Sequence, residues 1–465
     1  MTDTDSQLLK ILCSGCDERI FLREETDSNK YHLNPLRYEN LLNRGSCTCG
    51  TLTPFGYEVA GRFLSNYKIE NHDSIIKTQT KRLRNLLNDN SSEFHVYYGP
   101  SGSDMMYLPI LFQAIINPGQ TIENIVSCPE ELGSGSKMAA EGLYYSDWNQ
   151  FSELIPKGKN ISNNLNINVH YLAAREDSGS IADRRQAIRD IIALSPGKPI
   201  IGNLVFGSKS GIKDDLEIID EFREGVMWVV DMCQFRTDRH LINQLIEKNA
   251  IVMVTGSKFY QAPPFCGALL VPKYWSNKIK DLDASISKDF TQLFTKYDFP
   301  PSLEKIRSQL PDYQNLGLRL RWEVAISEME EYLAIPQEIT NAFIRRWSQV
   351  VIGRLAQSDF FKIMPNIELT NDSIVSFMVM VNGNSLDNAE LKILFDHIVL
   401  NKHQGLEAYE NVFIGQPVQY GDRSFIRIAI GSYSVRKQLQ KSKFNPHNDL
   451  RLIEIIEETV QKLFL

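Results

Sequence analysis

Short hydrophobic runs, each bounded by glycine, proline or polar clusters, alternate from Phe94 onward with stretches of helical periodicity. The runs near 94–98, 122–128, 167–172, 199–206, 226–231, 250–254 and 266–271 are brief and largely apolar, which predicts short buried strands. Amphipathic patterns near 104–116, 136–146, 182–194, 214–223 and 238–248 predict the helices between them. Alternation of this kind implies βαβ units and one large α/β domain, a doubly wound, mainly parallel seven-stranded sheet. Ahead of it lies a weakly patterned arm in which 54–67 opens a helix that continues in pieces to Leu87. Beyond Pro272 the pattern turns helical, as in 316–333, and then gives way to a smaller C-terminal α+β unit with strands at 374–381 and 425–430 and a closing helix at 448–463. The division expected is an arm (1–93), a large domain (94–290), a connecting helical segment (291–335) and a small domain (336–465).

Composition removes several classes of function. With 465 residues the chain can bury a large core, and 43% hydrophobic with 23% charged residues is ordinary for a globular protein. A net charge of -7 with both signs interspersed gives no basic face, so neither nucleic acid nor an anionic membrane is an expected partner. No apolar run reaches the roughly 20 residues that span a bilayer. The polar, acidic start MTDTDSQ is unlike a secretory signal, so the expected location is cytoplasmic. Seven scattered cysteines suggest reduced thiols. Cys13 and Cys16 form a CxxC and Cys47 and Cys49 a CxC; a four-thiolate zinc site would use them, but the second pair lacks knuckle spacing and no metal is expected.

The candidate chemistry stands at the ends of predicted strands. Asp231 closes the run Val226 to Val230, and Lys258 follows the run Ile251 to Val254 and a Thr255-Gly256-Ser257 turn. Open α/β sheets bind ligands at the carboxyl ends of their strands, so a carboxylate and an amine could share one crevice. Pyridoxal 5′-phosphate (PLP) needs such a pair, a lysine for its Schiff base and an acid against its pyridine nitrogen. The first strand runs into Gly99-Pro100-Ser101-Gly102-Ser103-Asp104, which reads either as a phosphate cradle or as a plain turn with an N-cap. Walker, GxGxxG and GxSxG patterns are absent.

The order Ser101-Gly102-Ser103, Asp231-Met232-Cys233-Gln234, Ser257-Lys258 resembles the fold type I PLP enzymes, and within them the class V aminotransferase and cysteine-desulfurase branch. The resemblance spans roughly 94–440 and implies an aspartate-aminotransferase-like fold. It implies that Lys258 forms the internal aldimine and shuttles the Cα proton, that Asp231 pairs with the pyridine nitrogen and that Gln234 reaches the phenolic oxygen. Ser101, Gly102, Ser103 and Ser257 would hold the phosphate. In DRSFIRIAIG, 422–431, Arg427 matches the arginine that grips the substrate carboxylate. A homodimer is implied too, with 260–264 facing the other subunit, and an arm that crosses the active-site mouth, where Arg44, Ser46, Cys47 and Thr48 would line the substrate pocket.

The chain departs from that branch in two places. Where relatives stack a histidine on the ring, this chain has Cys128-Pro129-Glu130-Glu131-Leu132-Gly133, so Glu131 would approach the ring, or Leu132 or Gly133 pack on it. Where relatives have an asparagine ahead of Gly211, Ser208 would substitute or Asn203 reach in. No cysteine follows Cys266, which argues against thiol-mediated desulfuration. The expected function is aminotransferase-like chemistry on an amino acid or amino-bearing metabolite through a quinonoid carbanion. A β/γ-lyase or decarboxylase is the alternative; an inactive binding relative and a thiolate zinc protein stand outside that class.

Overall fold

The structure, a computed structural model, describes residues 3–465 except 46–49, 88–92, 134, 177–179, 237, 365–371, 422 and 442. A first strand, β1 (Leu41–Arg44), comes from the N-terminal arm. Then follow β2 (Phe94–Gly99), β3 (Thr121–Ser127), β4 (Asn166–Leu172), β5 (Ile200–Val205), β6 (Val226–Asp231), β7 (Ile251–Thr255) and β8 (Gly267–Pro272). These seven make one sheet in the order β2-β8-β7-β6-β5-β3-β4. From β7 to β4 all neighbours are parallel, and β8 alone runs antiparallel, between β2 and β7. All seven predicted strands are present, with ends displaced by a residue or so.

Alternation along each strand divides the core between the sheet's faces. Trp228, Val230, Val252, Val254 and Leu270 join one hydrophobic cluster, and Met227, Val229, Ile251, Met253 and Leu269 join the other. The helix Leu316–Leu333 contributes Leu318, Leu320 and Trp322 to the first cluster, and the helix Tyr107–Ile116 adds Leu108, Leu111 and Phe112 to the second. Covered on both faces, the strands from β2 to β3 are rich in Val, Ile and Leu, whereas the edge strand β4 (Asn166–Leu172) is only half-buried, and the doubly wound expectation holds.

The second sheet takes its strands mainly from the C-terminal part: β9 (Phe361–Ile363), β10 (Ile374–Val381), β11 (Asn384–Ser385), β12 (Asn411–Tyr420) and β13 (Arg423–Ala429). Its order is β1-β12-β13-β10-β11, with β9 also on β10. The arm therefore supplies an edge strand, because β1 pairs in parallel with β12 from Leu41↔Asn411 to Arg44↔Ile414. β12 was not foreseen: Gly415 and Pro417 interrupt its pattern, and its pairing with β13 is irregular between Gly415 and Val418.

Two predicted helices are shorter than their patterns. The 136–146 pattern yields Ser136–Ala140, which stops before Gly142 at φ +74°. The 214–223 pattern yields Ile218–Glu221, because Asp214 is drawn away to accept from Val205 N at 2.7 Å, Arg184 Nε at 2.7 Å and Ser127 Oγ at 2.9 Å. No helix is long and apolar enough to cross a membrane among the described residues.

Candidate functional site

Strand register sets the site. Val205 pairs with Asp231 and Asp231 with Met253, while Thr255 and Gly99 both lie opposite Gly267. The ends of β2, β5, β6 and β7 therefore fall on one edge of the sheet. Asp231 is fixed there by Cys233 N–H, which donates to its Oδ1 at 2.8 Å. The loop after β7 is tied to the same segment by Thr255 Oγ1, which donates to Cys233 O at 2.8 Å. Asp231 and Lys258 both line a cavity of about 250 Å³, whose wall also includes Gln234, Ser208, Glu131 and Arg427.

Glu131 and Ser208, nominated for different reasons, meet. Cys128, at φ +50°, opens a turn closed by Glu131 N–H donating to Cys128 O at 2.9 Å. Glu131 then accepts from Ser208 Oγ at 2.6 Å, from Ser210 N at 2.8 Å and from Ser210 Oγ. Gln234 is buried and accepts from Arg236 Nε at 3.3 Å. Asn203 does not reach in, because its Nδ2 donates to Asn124 Oδ1 at 2.7 Å and Ile125 O at 2.9 Å inside the sheet.

The Ser101–Ser103 turn lies beside the cavity rather than in its lining. A Cβ on Gly102 would stand 2.8 Å from Cys233 Sγ, so only glycine lets this turn pack on the segment that follows Asp231. Ser101 is the N-cap, and its Oγ donates to Asp104 Oδ2 at 2.7 Å. Ser103 Oγ is 3.1 Å from Ser136 Oγ, and Ser257 is buried.

Arg427 projects from β13 opposite Gly415, where a Cβ would come within 2.9 Å of the arginine's own Cβ. Among the described residues its Nη1 and Nη2 reach only the carbonyls of Lys209 and Gln416, at 3.4 Å each, and its buried Nε has no partner. No carboxylate pairs with it among the described residues. The guanidinium is thus buried, charged and short of acceptors, a state that an anion in the cavity would relieve.

Arg44 is elsewhere. It is buried in an ion pair with Asp449, Nε to Oδ1 at 2.5 Å and Nη2 to Oδ2 at 3.1 Å, and borders a different cavity of about 570 Å³. Ser46, Cys47, Thr48 and Cys49 lie outside the described residues. Cys16 is buried, donates to Asp17 Oδ2 at 3.4 Å, and has a thiol that burial pushes well up. The 260–264 segment requires a correction. It is buried within its own chain, with Tyr260 packed among Phe235, Phe259 and Tyr332, so it has no face left for another subunit.

Three cations in the wall were missed, Arg19, Lys30 and Lys209. Arg19 comes from the N-terminal arm, held by Asp17 through Nε and Nη2 at 2.6 Å each, and Nη2 also donates to Ser101 Oγ at 3.1 Å. Nothing in its local sequence signals this. Lys209 adjoins Ser208, and its Nζ donates to Glu130 O at 3.3 Å and to Leu132 O. Its loop was legible as a departure, but a lysine in a loop ordinarily extends into solvent.

Neither a protein-family model nor a curated protein sequence matches this chain. Solved structures do. Ureidoglycine-glyoxylate aminotransferase from Bacillus subtilis is 13% identical, with 92% of this chain and 94% of that one covered at a TM-score of 0.57. The cysteine desulfurase CsdA from Escherichia coli is 12% identical, with 90% and 95% covered at 0.57. Oryza sativa TDC, solved with PLP and tryptamine, is 12% identical, with 92% and 84% covered at 0.53. The likeness is one of fold, and the fold is the aspartate-aminotransferase-like one that the motif order implied.

Proposed function

We propose that this chain is a PLP-dependent enzyme acting on an amino acid or amino-bearing metabolite, with aminotransferase-like chemistry. The observation that carries the reading is that Asp231 and Lys258, from neighbouring strand ends, line one cavity with Arg427, whose Nε lacks an acceptor. The residues suit the cofactor in kind. Lys258 offers the amine that would hold it covalently, and Asp231 a carboxylate for the pyridine nitrogen. Arg19 in the wall offers a cation for a phosphate, next to the Ser101–Ser103 turn whose Ser101 hydroxyl is already given to Asp104. When bound, PLP supplies an electron sink for the bond broken at the substrate's Cα.

The remaining roles belong to the chain. Asp231, fixed by Cys233 N–H, would hold the pyridine nitrogen and make a positive charge there favourable. Arg427 binds the substrate carboxylate and fixes which Cα bond is exposed, which favours proton removal over loss of that carboxylate. Lys258 Nζ takes the Cα proton and returns it. Ser208, held to Glu131 at 2.6 Å, and Gln234 are the polar side chains of the wall that would help to hold the cofactor. Leu132, Pro417 and Val418 in the wall limit water.

The test is the absorbance of the purified protein with PLP, before and after borohydride. Expected are a visible band, a reduced pyridoxyl adduct mapped to Lys258, and loss of both in Lys258→Ala. No band in the wild type with excess PLP overturns the reading.

A further inference from the structure

The cavity lined by Asp231, Lys258 and Arg427 is about 250 Å³, below the roughly 300–1,000 Å³ that sites for small molecules occupy, although under the PLP reading a cofactor and a substrate must share it. It does not end blindly. Lys30, Tyr31, Gln416 and Pro417 line it and also line an outer chamber of about 710 Å³, whose wall includes the first turn of the helix Asn388–Leu400. The join owes its shape to an irregularity in β12. Gly415 pairs with Arg427 and Val418 with Phe425, so Gln416 and Pro417 together stand against Ile426 alone. Such a bulge re-aims the side chains it carries, and proline, with no N–H to give the ladder, suits it. The Gln416 carbonyl accepts from Arg427 Nη2 at 3.4 Å, which puts this residue beside the fork assigned to the substrate carboxylate. Its Nε2 is shut off from solvent and has no hydrogen-bond partner among the described residues. An enclosed amide donor without an acceptor is unfavourable, and an oxygen on a ligand would relieve it.

We infer that Gln416 is a specificity-determining residue at the entrance to a distal subsite: the substrate's side chain passes from the inner cavity into the outer chamber and gives Gln416 Nε2 a carbonyl oxygen to bind. The substrate is then an amino acid whose long side chain bears an amide carbonyl. This rests on the PLP reading of the inner cavity. Because Gln416 adjoins Arg427, a substrate with its carboxylate on Arg427 starts its side chain close to the join. A side chain without the carbonyl leaves the Nε2 donor enclosed and unmet, the condition under which a site built to hydrogen-bond its substrate rejects an analogue lacking the group. Tyr31 and Phe395 give the outer chamber aromatic surface for the carbon chain.

The test uses the full chain loaded with PLP and two pairs of amino acids of equal length. Nδ-ethyl-L-glutamine against L-α-aminooctanoate sets the carbonyl near Cα, and Nε-acetyl-L-lysine against L-α-aminononanoate sets it near the tip; L-alanine is the short control. Affinities are read by calorimetry. In the wild type the carbonyl-bearing member of at least one pair should bind at least about tenfold more tightly than its apolar partner and than L-alanine. Gln416→Leu should bring that ratio near one and leave L-alanine as it was. Ala389→Trp, at an exposed position in the outer wall, should weaken both members of that pair and spare L-alanine. Equal affinities within both pairs in the wild type, or long members that Ala389→Trp leaves untouched, overturn the inference. So does a Gln416→Leu protein that weakens L-alanine along with the rest, since Gln416 would then serve the α-carboxylate. Should Gln416→Leu fail to fold, the wild-type ratios and Ala389→Trp decide it. A visible band without carbonyl preference sinks only the distal subsite, whereas a missing wild-type band sinks the cofactor reading beneath it.

Discussion

Asp104 sits under the Ser101 turn with its carboxyl raised to about 6, by burial first and by Asp17 second, against the pull of Ser101, Arg19 and Tyr145. Its ordinary value is 3.8, so between those two values the folded chain binds the proton more tightly than the unfolded one. That contribution to stability is complete below 3.8 and is lost as pH climbs through about 6. Urea denaturation at about pH 4 and pH 7 should show the wild type losing up to ~3 kcal/mol relative to Asp104→Asn across that interval. Lys209 has the opposite sense. Faced by Glu131, Arg427, Lys258 and Lys137, it is an ammonium below about 8 and neutral above. Lys258 and Asp231 were legible because their neighbours in sequence are strand-formers; Lys209 was not, because its environment comes from residues far away along the chain.

The element that ties the molecule together is the helix Leu316–Leu333, capped by Asn315, whose Oδ1 accepts from Leu318 N at 2.9 Å. It is buried nearly all round, so its charged residues must find partners inside. Arg321 does so with backbone alone: Nε donates to Phe265 O at 2.9 Å, Nη1 to Ser14 O at 2.7 Å and Nη2 to Gly15 O at 3.0 Å. One side chain thereby fastens the N-terminal arm, just before Arg19, to the loop after Lys258. Arg321→Met should cost about 3 kcal/mol in chemical denaturation, since it strands several buried carbonyls. Limited proteolysis of that variant should cut first within about the first 20 residues, which are held by this clamp. The helix was visible in the sequence. Its arginine gave no sign of being a clamp, because the acceptors are main-chain atoms and carry no side-chain signature.

Across the whole molecule, the arm runs through both halves: Arg19 enters the cavity at the large sheet, and β1 completes the edge of the small sheet. The Arg44–Asp449 pair locks that edge to the C-terminal helix His447–Phe464. Removing one partner leaves the other charge buried, so Arg44→Met and Asp449→Leu should each destabilise by about 3–5 kcal/mol, and the double variant should recover much of the loss. Denaturation of the three variants reads this, and additive losses would contradict it. The seven strands, the burial of all but the edge strand β4, and the placing of Asp231 and Lys258 at strand ends were determined by the sequence, because periodicity and turn chemistry are properties of neighbouring residues. The tertiary structure alone decided that Arg19, Lys209 and Arg427 share a cavity wall, that Arg44 is spent on Asp449, and that 260–264 is interior. Those outcomes depend on how distant elements pack, and no local pattern of side chains encodes the partner that packing brings.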